Sequence, residues 1–104
     1  MKVLLLGGTG SFGKQTAVLL SCESLITEIG IASRNLEYAQ GVAAEIGDKA
    51  HGVYVDIRDR SQLSSTAAGY DIIINTAGPA FEVQVPAMQA AIQAGTHYCD
   101  LATI

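Results

Sequence analysis

The sequence predicts an α/β domain with a doubly wound parallel β-sheet of strand order 3-2-1-4-5 and helices on both faces. Short apolar runs of strand length alternate with longer segments of helical spacing, which is the pattern of βαβ units. The 104 residues, 49% of them hydrophobic, are enough for one core and leave little room for a second domain. A glycine cluster directly follows the first apolar run, at the expected strand-to-helix turn. We therefore treat residues 1–104 as one domain.

The first half of the chain is expected to contain three strands and two helices. The predicted strands cover Lys2–Leu6, Glu28–Ser33 and Val53–Asp56. A first helix should span about Phe12–Cys22. Asn35 should cap a second helix, because its side-chain oxygen can accept a hydrogen bond from an unpaired backbone N–H. Apolar residues at helical spacing continue through Leu36–Ile46, and Gly47 should end that helix.

The second half should add two helices and two strands. The predicted elements are a helix from Asp59 or Ser61 to Ala68, a strand Tyr70–Thr76, a helix at about Val85–Ala94 and a strand Thr96–Leu101. The fourth strand is continuously apolar over Ile72–Ile74, which is typical of a parallel strand buried on both faces. Pro86 would be tolerated in the first turn of the fourth helix, and Gly95 would follow its end.

Charge and hydropathy argue against several classes of partner. The net charge is −4 and no basic run occurs, whereas nucleic-acid-binding and polybasic membrane-docking proteins carry clustered Lys and Arg. The longest apolar runs, Val3–Leu6 and Ile72–Ile74, fall far short of the roughly 18 residues that suggest a transmembrane helix. The apolar start breaks at Gly7, too early for a signal peptide. We expect a cytoplasmic protein that binds neither nucleic acid nor membrane.

Cysteine and histidine spacing predicts neither a metal site nor a disulfide framework. Cys22 and Cys99 lie far apart without C-x-x-C spacing, so reduced, packed thiols are expected. His51 and His97 have no partners at the spacing that metal ligands require.

The strongest chemical signal is Gly8-Thr9-Gly10-Ser11-Phe12-Gly13, a G-x-G-x-x-G motif between a predicted strand and a predicted helix. Gly8 would permit a tight turn, Gly10 would let the backbone approach a pyrophosphate, and Gly13 would allow close packing of helix on strand. The helix N-terminus would offer free N–H groups and a partial positive charge to the phosphates. This motif predicts a Rossmann-like dinucleotide site; the alternative is a tight βα turn without a ligand.

The end of the second strand favours NADP over NAD as the cofactor. An NAD-binding domain usually places an acidic residue about 20 positions after the glycines, to hold the ribose 2′-hydroxyl. Glu28 has roughly that spacing but lies at the start of the second strand. The carboxyl end of that strand carries Ser33-Arg34-Asn35 instead. A hydroxyl and a guanidinium there suit a 2′-phosphate. The alternative is that Arg34 only neutralises Glu37 or a helix end in solvent.

Two later loops supply the remaining candidate binding residues. Asp56 could accept a hydrogen bond from the adenine amino group, with Ile57 against the ring; alternatively, Asp56 caps the following turn. Thr76, Ala77 and Gly78 follow the fourth strand, beside the point where the strand order reverses and ligands bind. Small residues there would let the ribose and nicotinamide lie against backbone. The alternative is a Gly-Pro loop that only ends the strand.

No catalytic group is identified. Strand alternation places Tyr98 and Asp100 on the face opposite His97 and Cys99, so these four residues cannot form one acid–base cluster. Asp100 stands at the carboxyl end of its strand, from which it could approach a substrate. A methyltransferase is disfavoured, since it would need an acidic residue at the end of the second strand.

Several segments together resemble the amino-terminal domain of the saccharopine dehydrogenase family. These are Lys2–Ala17, Ser33-Arg34-Asn35, Val55-Asp56, Asn75–Pro79 and Ala94–Leu101. The resemblance implies an oxidoreductase that moves a hydride between NAD(P) and a C–N or C–C bond of a small metabolite. It implies that residues 8–13 bind pyrophosphate, Ser33 and Arg34 the 2′-phosphate, Asp56 the adenine and residues 76–78 the nicotinamide side.

In that family a substrate domain follows this one. We therefore expect this chain to be part of a longer protein in which the missing domain binds the substrate. The oligomeric state stays open, and a homo-oligomer is one possibility. Two alternatives remain. One is a non-catalytic NAD(P) sensor. The other is a short-chain-reductase-like enzyme, whose Tyr-x-x-x-Lys pair does not occur in these residues.

Overall fold

Strands and helices alternate along the whole of the computed structural model, which describes residues 1–8, 10–78 and 80–100, without the side chains of residues 80 and 81. The strands are β1 (Lys2–Leu6), β2 (Glu28–Ser33), β3 (Ala50–Tyr54), β4 (Ile72–Asn75) and β5 (His97–Asp100). The helices are α1 (Ser11–Ser21), α2 (Leu36–Ile46), α3 (Arg60–Ala67) and α4 (Ala80–Ala94). All strand pairs are parallel and the order is β3-β2-β1-β4-β5, which confirms the predicted fold.

The central strand β1 organises two cores, one on each face of the sheet. Its residues Val3–Leu6 are at most 1% exposed. Leu4 and Leu6 pack with buried residues of α3 and α4, whereas Val3 and Leu5 pack with buried residues of α1 and α2. Each such leucine stabilises the fold by about 1.5–3 kcal/mol relative to an exposed side chain. The doubly wound arrangement therefore follows from a strand without a polar side.

Side-chain caps fix the starts of α2 and α3. Asn35 Oδ1 accepts a hydrogen bond from the Tyr38 N–H at 3.0 Å, as predicted. Asp59 Oδ1 accepts from the Gln62 N–H at 3.2 Å, so Asp59 rather than Ser61 opens α3. Both caps lie directly after loops that leave the carboxyl edge of the sheet, and they fix the direction of those loops.

The predicted range of the third strand is wrong by about three residues. The ladder pairs Ile29 with Ala50 and Ser33 with Tyr54, so β3 ends before Val55 and Asp56. This edge strand is half exposed and lacks an apolar run. Its position depends instead on Gly52, where a Cβ would lie 2.7 Å from the backbone nitrogen of Gln40 in α2. Asp56 therefore belongs to a loop, not to a strand end.

The fourth helix begins five residues earlier than predicted, at Ala80 instead of Val85. Pro86 consequently lies inside α4, not in its first turn. A proline removes one backbone donor there, a cost that packing of Ala87, Ala90 and Ala91 against the sheet offsets. The added first turns bring α4 over the carboxyl edge of the sheet.

Other expectations concern exposure and metals. Cys22 and Cys99 are free, as predicted, but both are exposed and not packed. Among the described residues, no group of His, Cys, Asp and Glu side chains is placed to hold a metal ion. The helices in the described ranges are also too short or too polar to cross a membrane.

Candidate dinucleotide site

A pocket of about 330 Å³ opens at the carboxyl edge of the sheet. The ends of β1 and β2, the loops after β3 and β4, and the first turns of α4 line it. The structure thus brings together six of the residues predicted from three separate segments: Ser33, Arg34, Asp56, Ile57, Ala77 and Gly78. Pockets of this size lie at the lower end of the range for small-molecule sites, which suits one part of an extended cofactor.

The glycine turn after β1 is packed too tightly for side chains at several positions. A Cβ on Gly13 would lie 2.1 Å from the Gly7 carbonyl oxygen, so Gly13 permits the close contact of α1 with β1. A Cβ on Gly8 would lie 2.9 Å from Ile31 Cγ2. At Gly10, the nearest atom to such a Cβ is the Gly7 oxygen at 3.5 Å, which leaves room in the fold itself. Packing therefore accounts for Gly8 and Gly13, but not for Gly10.

The first turn of α1 carries backbone donors without a side-chain cap. Gly10 is the N-cap residue and makes no capping side-chain hydrogen bond. The N–H groups of the first helical residues, Ser11 and Phe12 among them, have no partner inside the helix. Phe12 itself is 69% exposed, so its ring does not hold the helix to the core. Thr9 lies outside the described residues.

The three residues predicted at the end of β2 face two different pockets: Ser33 and Arg34 face one, and Asn35 faces the other. Ser33 Oγ accepts a hydrogen bond from the Asn35 N–H at 3.0 Å, which leaves the hydroxyl proton to donate into the pocket. Arg34 lines the same pocket. In the described parts of the chain, the ion pairs join His51 to Glu28 and Arg58 to Asp56. Neither includes Arg34, so none joins it to Glu37. Asn35 instead caps α2 and lines a different groove, between α1 and α2.

Asp56 is fixed by Arg58, a residue that the sequence reasoning did not select. Asp56 Oδ1 accepts from the backbone N–H of Arg58 at 3.0 Å and from its Nε at 3.3 Å. These hydrogen bonds, from the side chain first and the backbone second, lower the pKa of Asp56 from its usual value of 3.8. The alternative prediction, that Asp56 caps the following turn, is therefore confirmed, and its contact with adenine stays a prediction.

A buried polar network holds the loop after β4. Asn75 is 3% exposed; its Nδ2 donates to the Tyr98 hydroxyl at 3.0 Å and its Oδ1 accepts from the Ala77 N–H at 3.0 Å. The Tyr98 hydroxyl donates to Asp100 Oδ2 at 2.8 Å. Burial is the main cause that raises the pKa of Tyr98 to about 12. As predicted, Tyr98 and Asp100 share a face of β5.

Thr76 has a structural contact rather than a place in the pocket lining. Its Oγ1 donates to the Leu6 carbonyl oxygen at 2.7 Å, and its N–H donates to the same oxygen at 2.8 Å. Ala77 and Gly78 then face the pocket. Sequence reasoning also missed Gly7, although the Gly7-Gly8 doublet signalled it: Gly7 has a φ of +77°, and a Cβ there would lie 2.6 Å from the Ala77 nitrogen.

A glycine turn after the central strand, and a pocket where the strand order reverses, together define a dinucleotide-binding Rossmann domain. Comparison with protein families then gives the particular kind. The chain belongs to the family described as the saccharopine dehydrogenase NADP binding domain, whose model matches residues 3–104. The predicted resemblance and the predicted cofactor, NADP, are confirmed.

The curated relatives are longer proteins. The trans-acting enoyl reductase of Mycobacterium tuberculosis is 33% identical over 102 residues, which is 95% of this chain and 24% of that protein. The enzyme of the same name from Mycobacterium leprae is 31% identical with the same coverage. This chain therefore spans about a quarter of the length of these relatives.

Solved structures agree with the family. Apo saccharopine dehydrogenase (L-Glu forming) from Saccharomyces cerevisiae has a TM-score of 0.82 and 28% identity, covering 99% of this chain and 22% of that one. A short-chain dehydrogenase/reductase from Veillonella parvula in complex with NADP has a TM-score of 0.76 but 12% identity, covering 95% and 46%. The second likeness shows the fold alone. The matches therefore favour the saccharopine dehydrogenase family over the short-chain-reductase alternative.

Proposed function

We propose that the pocket binds the adenosine 2′-phosphate end of NADP and that the glycine turn binds its pyrophosphate. The observation that carries this proposal is that Ser33, Arg34, Asp56 and Ile57 line one pocket with Gly7, the first residue of the glycine turn. Three loops at the carboxyl ends of parallel strands thus meet where an extended nucleotide would lie.

The glycine turn fits a diphosphate. The N–H groups at the start of α1 have no side-chain cap, and the helix dipole adds a partial positive charge there. Gly10 has space for a Cβ within the fold, so its lack of a side chain serves no packing need. A diphosphate lying against Gly10 supplies a reason for that residue, since a side chain would occupy the ligand's place.

The charge at the end of β2 fits a 2′-phosphate better than a free hydroxyl. Arg34 lines the pocket beside Ser33, and among the ion pairs of the described residues it has no acidic partner. Glu28, the acidic residue at roughly the NAD spacing, begins β2 at the opposite edge of the sheet and lies 4.0 Å from His51. It is therefore too far along the strand to hold the ribose.

The nicotinamide half would leave the pocket along the loop that carries Ala77 and Gly78. These small residues face the pocket, and Asn75 fixes their loop from the buried side through the Ala77 N–H. A bound NADPH would supply a hydride at that place. The chain's own residues would bind and orient the cofactor; within the described residues, the charged groups that line the pocket are Arg34, Arg58, Asp56 and Glu82.

We further propose that the whole protein is an oxidoreductase that transfers a hydride between NADP(H) and a small metabolite bound by another part of the chain. The names of the relatives favour two bond types, the C=C bond of an enoyl group and the C–N bond of saccharopine. Both bond types exchange a hydride with a nicotinamide, so hydride transfer at one of these two bonds is the activity proposed. A cytoplasmic location stays a prediction.

Titration calorimetry of the 104-residue chain with NADPH and with NADH tests the proposal. We expect NADPH to bind at least about tenfold more tightly, because a charge-assisted hydrogen bond to one phosphate contributes about 1.5–3 kcal/mol. Binding of NADH as tightly as NADPH or more tightly, or no binding of either nucleotide, would contradict the assignment of the site.

A further inference from the structure

Two guanidinium groups and one carboxylate lie together at the mouth of the pocket. Arg34, Arg58 and Asp56 all line it. The hydrogen bonds from Arg58 are the main reason that the pKa of Asp56 is low, and the charge of Arg34 lowers it further. Both cations are therefore close enough to act on the same anion. Of the two cations, only Arg34 was expected from the sequence to meet the cofactor.

The Arg58 side chain is held weakly. It is 77% exposed, and its Nε and Nη2 atoms lie 3.3 and 3.5 Å from the Asp56 carboxylate oxygens. Strong charge-assisted N–H···O bonds measure about 2.7–2.9 Å, and exposed ion pairs of this kind contribute little to stability. The Arg58 backbone N–H holds Asp56 independently at 3.0 Å. The guanidinium can therefore leave while the carboxylate stays in place.

The charge balance of the pocket calls for this second cation. Among the described residues its charged lining is Arg34 and Arg58 against Asp56 and Glu82, so the formal charges cancel. Without Arg58, one cation would face two carboxylates, and the pocket would be negative. A phosphate monoester carries a charge of about −1.5 to −2 at pH 7. A negative pocket would repel the group that distinguishes NADP from NAD.

We propose that Arg58 is a second residue that selects NADP over NAD, by moving its guanidinium from the Asp56 carboxylate to the 2′-phosphate. With NAD, which lacks that phosphate, Arg58 stays on Asp56. The inference rests on the proposed function, in which Ser33 and Arg34 meet the same phosphate. No covalent step is involved; one ion pair is exchanged for a bidentate contact with a doubly charged group.

The test measures selectivity, the ratio of the dissociation constants of NADH and NADPH, by titration calorimetry on the 104-residue chain. Arg58→Ala should lower this ratio about tenfold, mainly through weaker NADPH binding. Arg60→Ala is the matched control, because it removes a cation of the same type only two positions along the chain. The Arg60 side chain donates to Gln89 and does not line the pocket. The control should leave the ratio within about twofold.

A second pair of variants separates contact with phosphate from simple neutralisation of Asp56. If Arg58 contacts the phosphate, Arg58→Ala lowers selectivity by a similar factor when Asp56→Asn is already present. If Arg58→Ala has no effect in that background, Arg58 only neutralises the carboxylate, and the inference is overturned. Equal losses of NADH and NADPH, or no loss, overturn it as well.

The proposed function fails separately. A wild-type chain that binds NADH as tightly as NADPH, or binds neither, overturns the site assignment and this inference with it. A wild-type chain that prefers NADPH, loses selectivity with Arg34→Ala and keeps it with Arg58→Ala overturns the role of Arg58 alone.

Discussion

Gly7 and Ala77 lie in direct backbone contact across the ends of β1 and β4. A Cβ built on Gly7 would lie 2.6 Å from the Ala77 nitrogen, and the φ of Gly7 is +77°, in the left-handed region that favours glycine. This contact joins the proposed pyrophosphate turn to the proposed nicotinamide loop. The two halves of the site are therefore positioned by one close approach of two backbones.

Replacement of that glycine should destabilise the whole domain. Gly7→Ala places a methyl group against the Ala77 backbone and forces an L-residue into a positive φ, so we expect a loss of about 2 kcal/mol or more in the free energy of unfolding. Urea denaturation measures it. Gly41→Ala in the middle of α2 is the control, since no atom lies within 4 Å of its built Cβ. The control should stabilise by about 0.5–1 kcal/mol; an unchanged Gly7→Ala protein would contradict the contact.

Gly10 should have the opposite profile, with an effect on binding but little on folding. A Cβ at Gly10 has no neighbour closer than 3.5 Å in the fold, yet it would project where the diphosphate is proposed to lie. Gly10→Ala should therefore weaken NADPH and NADH by the same factor, about tenfold or more, while the free energy of unfolding falls by no more than about 1 kcal/mol, the cost of alanine at the N-cap of α1. A variant that binds both nucleotides as tightly as the wild type would show that the pyrophosphate does not lie against this turn.

The parts of the fold that were predictable are those buried on both sides. The apolar runs of β1 and Ile72–Ile74 determine their own strands, because only a central parallel strand buries both faces. Edge strand β3 has no such run, and Gly52 settles its position through contact with α2. The start of α4 was missed because Pro86 resembles a first-turn proline, although it lies in the helix interior.

The candidate site was predictable as far as strand ends determine it. Parallel strands share one carboxyl edge, so residues such as Arg34 and Gly78, distant in sequence, were expected to meet there, and both line the pocket. Arg58 and Glu82 were not selected, because their approach depends on the direction of the loop after β3 and on the first turns of α4. Asn35 was selected, but it caps α2 and lines a different groove.

Arg34 should determine the preference for the phosphorylated cofactor. Arg34→Ala is expected to weaken NADPH about 10- to 100-fold, equivalent to about 1.4–2.7 kcal/mol, and to leave NADH within about twofold. The loss should shrink at high salt, since the interaction is between charges at an open site. Arg60→Ala, outside the pocket, should leave both affinities unchanged. Equal weakening of NADPH and NADH would place Arg34 elsewhere on the nucleotide, or assign it to folding.

Two half-buried tyrosines should make the fold sensitive to alkali. Burial is the first cause that raises the pKa of Tyr70 to about 12, and Glu28 adds to it; Tyr98 is raised to about 12 for the same main reason. An unfolded tyrosine titrates near 10. Between about pH 10 and 12 the folded chain therefore binds more protons than the unfolded chain, and the free energy of unfolding falls as the pH rises.

Tyr98→Phe tests this pH dependence. The variant removes one of the two raised groups, so its stability should fall less steeply between about pH 10 and 12 than that of the wild type. At pH 7 it should already be less stable by about 1–3 kcal/mol, because the Asn75 amide, which donates to the Tyr98 hydroxyl, loses its buried acceptor. Tyr54→Phe, at an exposed position, should leave the free energy of unfolding at pH 7 unchanged. Urea denaturation at a series of pH values measures both, and parallel curves for Tyr98→Phe and wild type would show that Tyr98 titrates alike in the folded and unfolded chains.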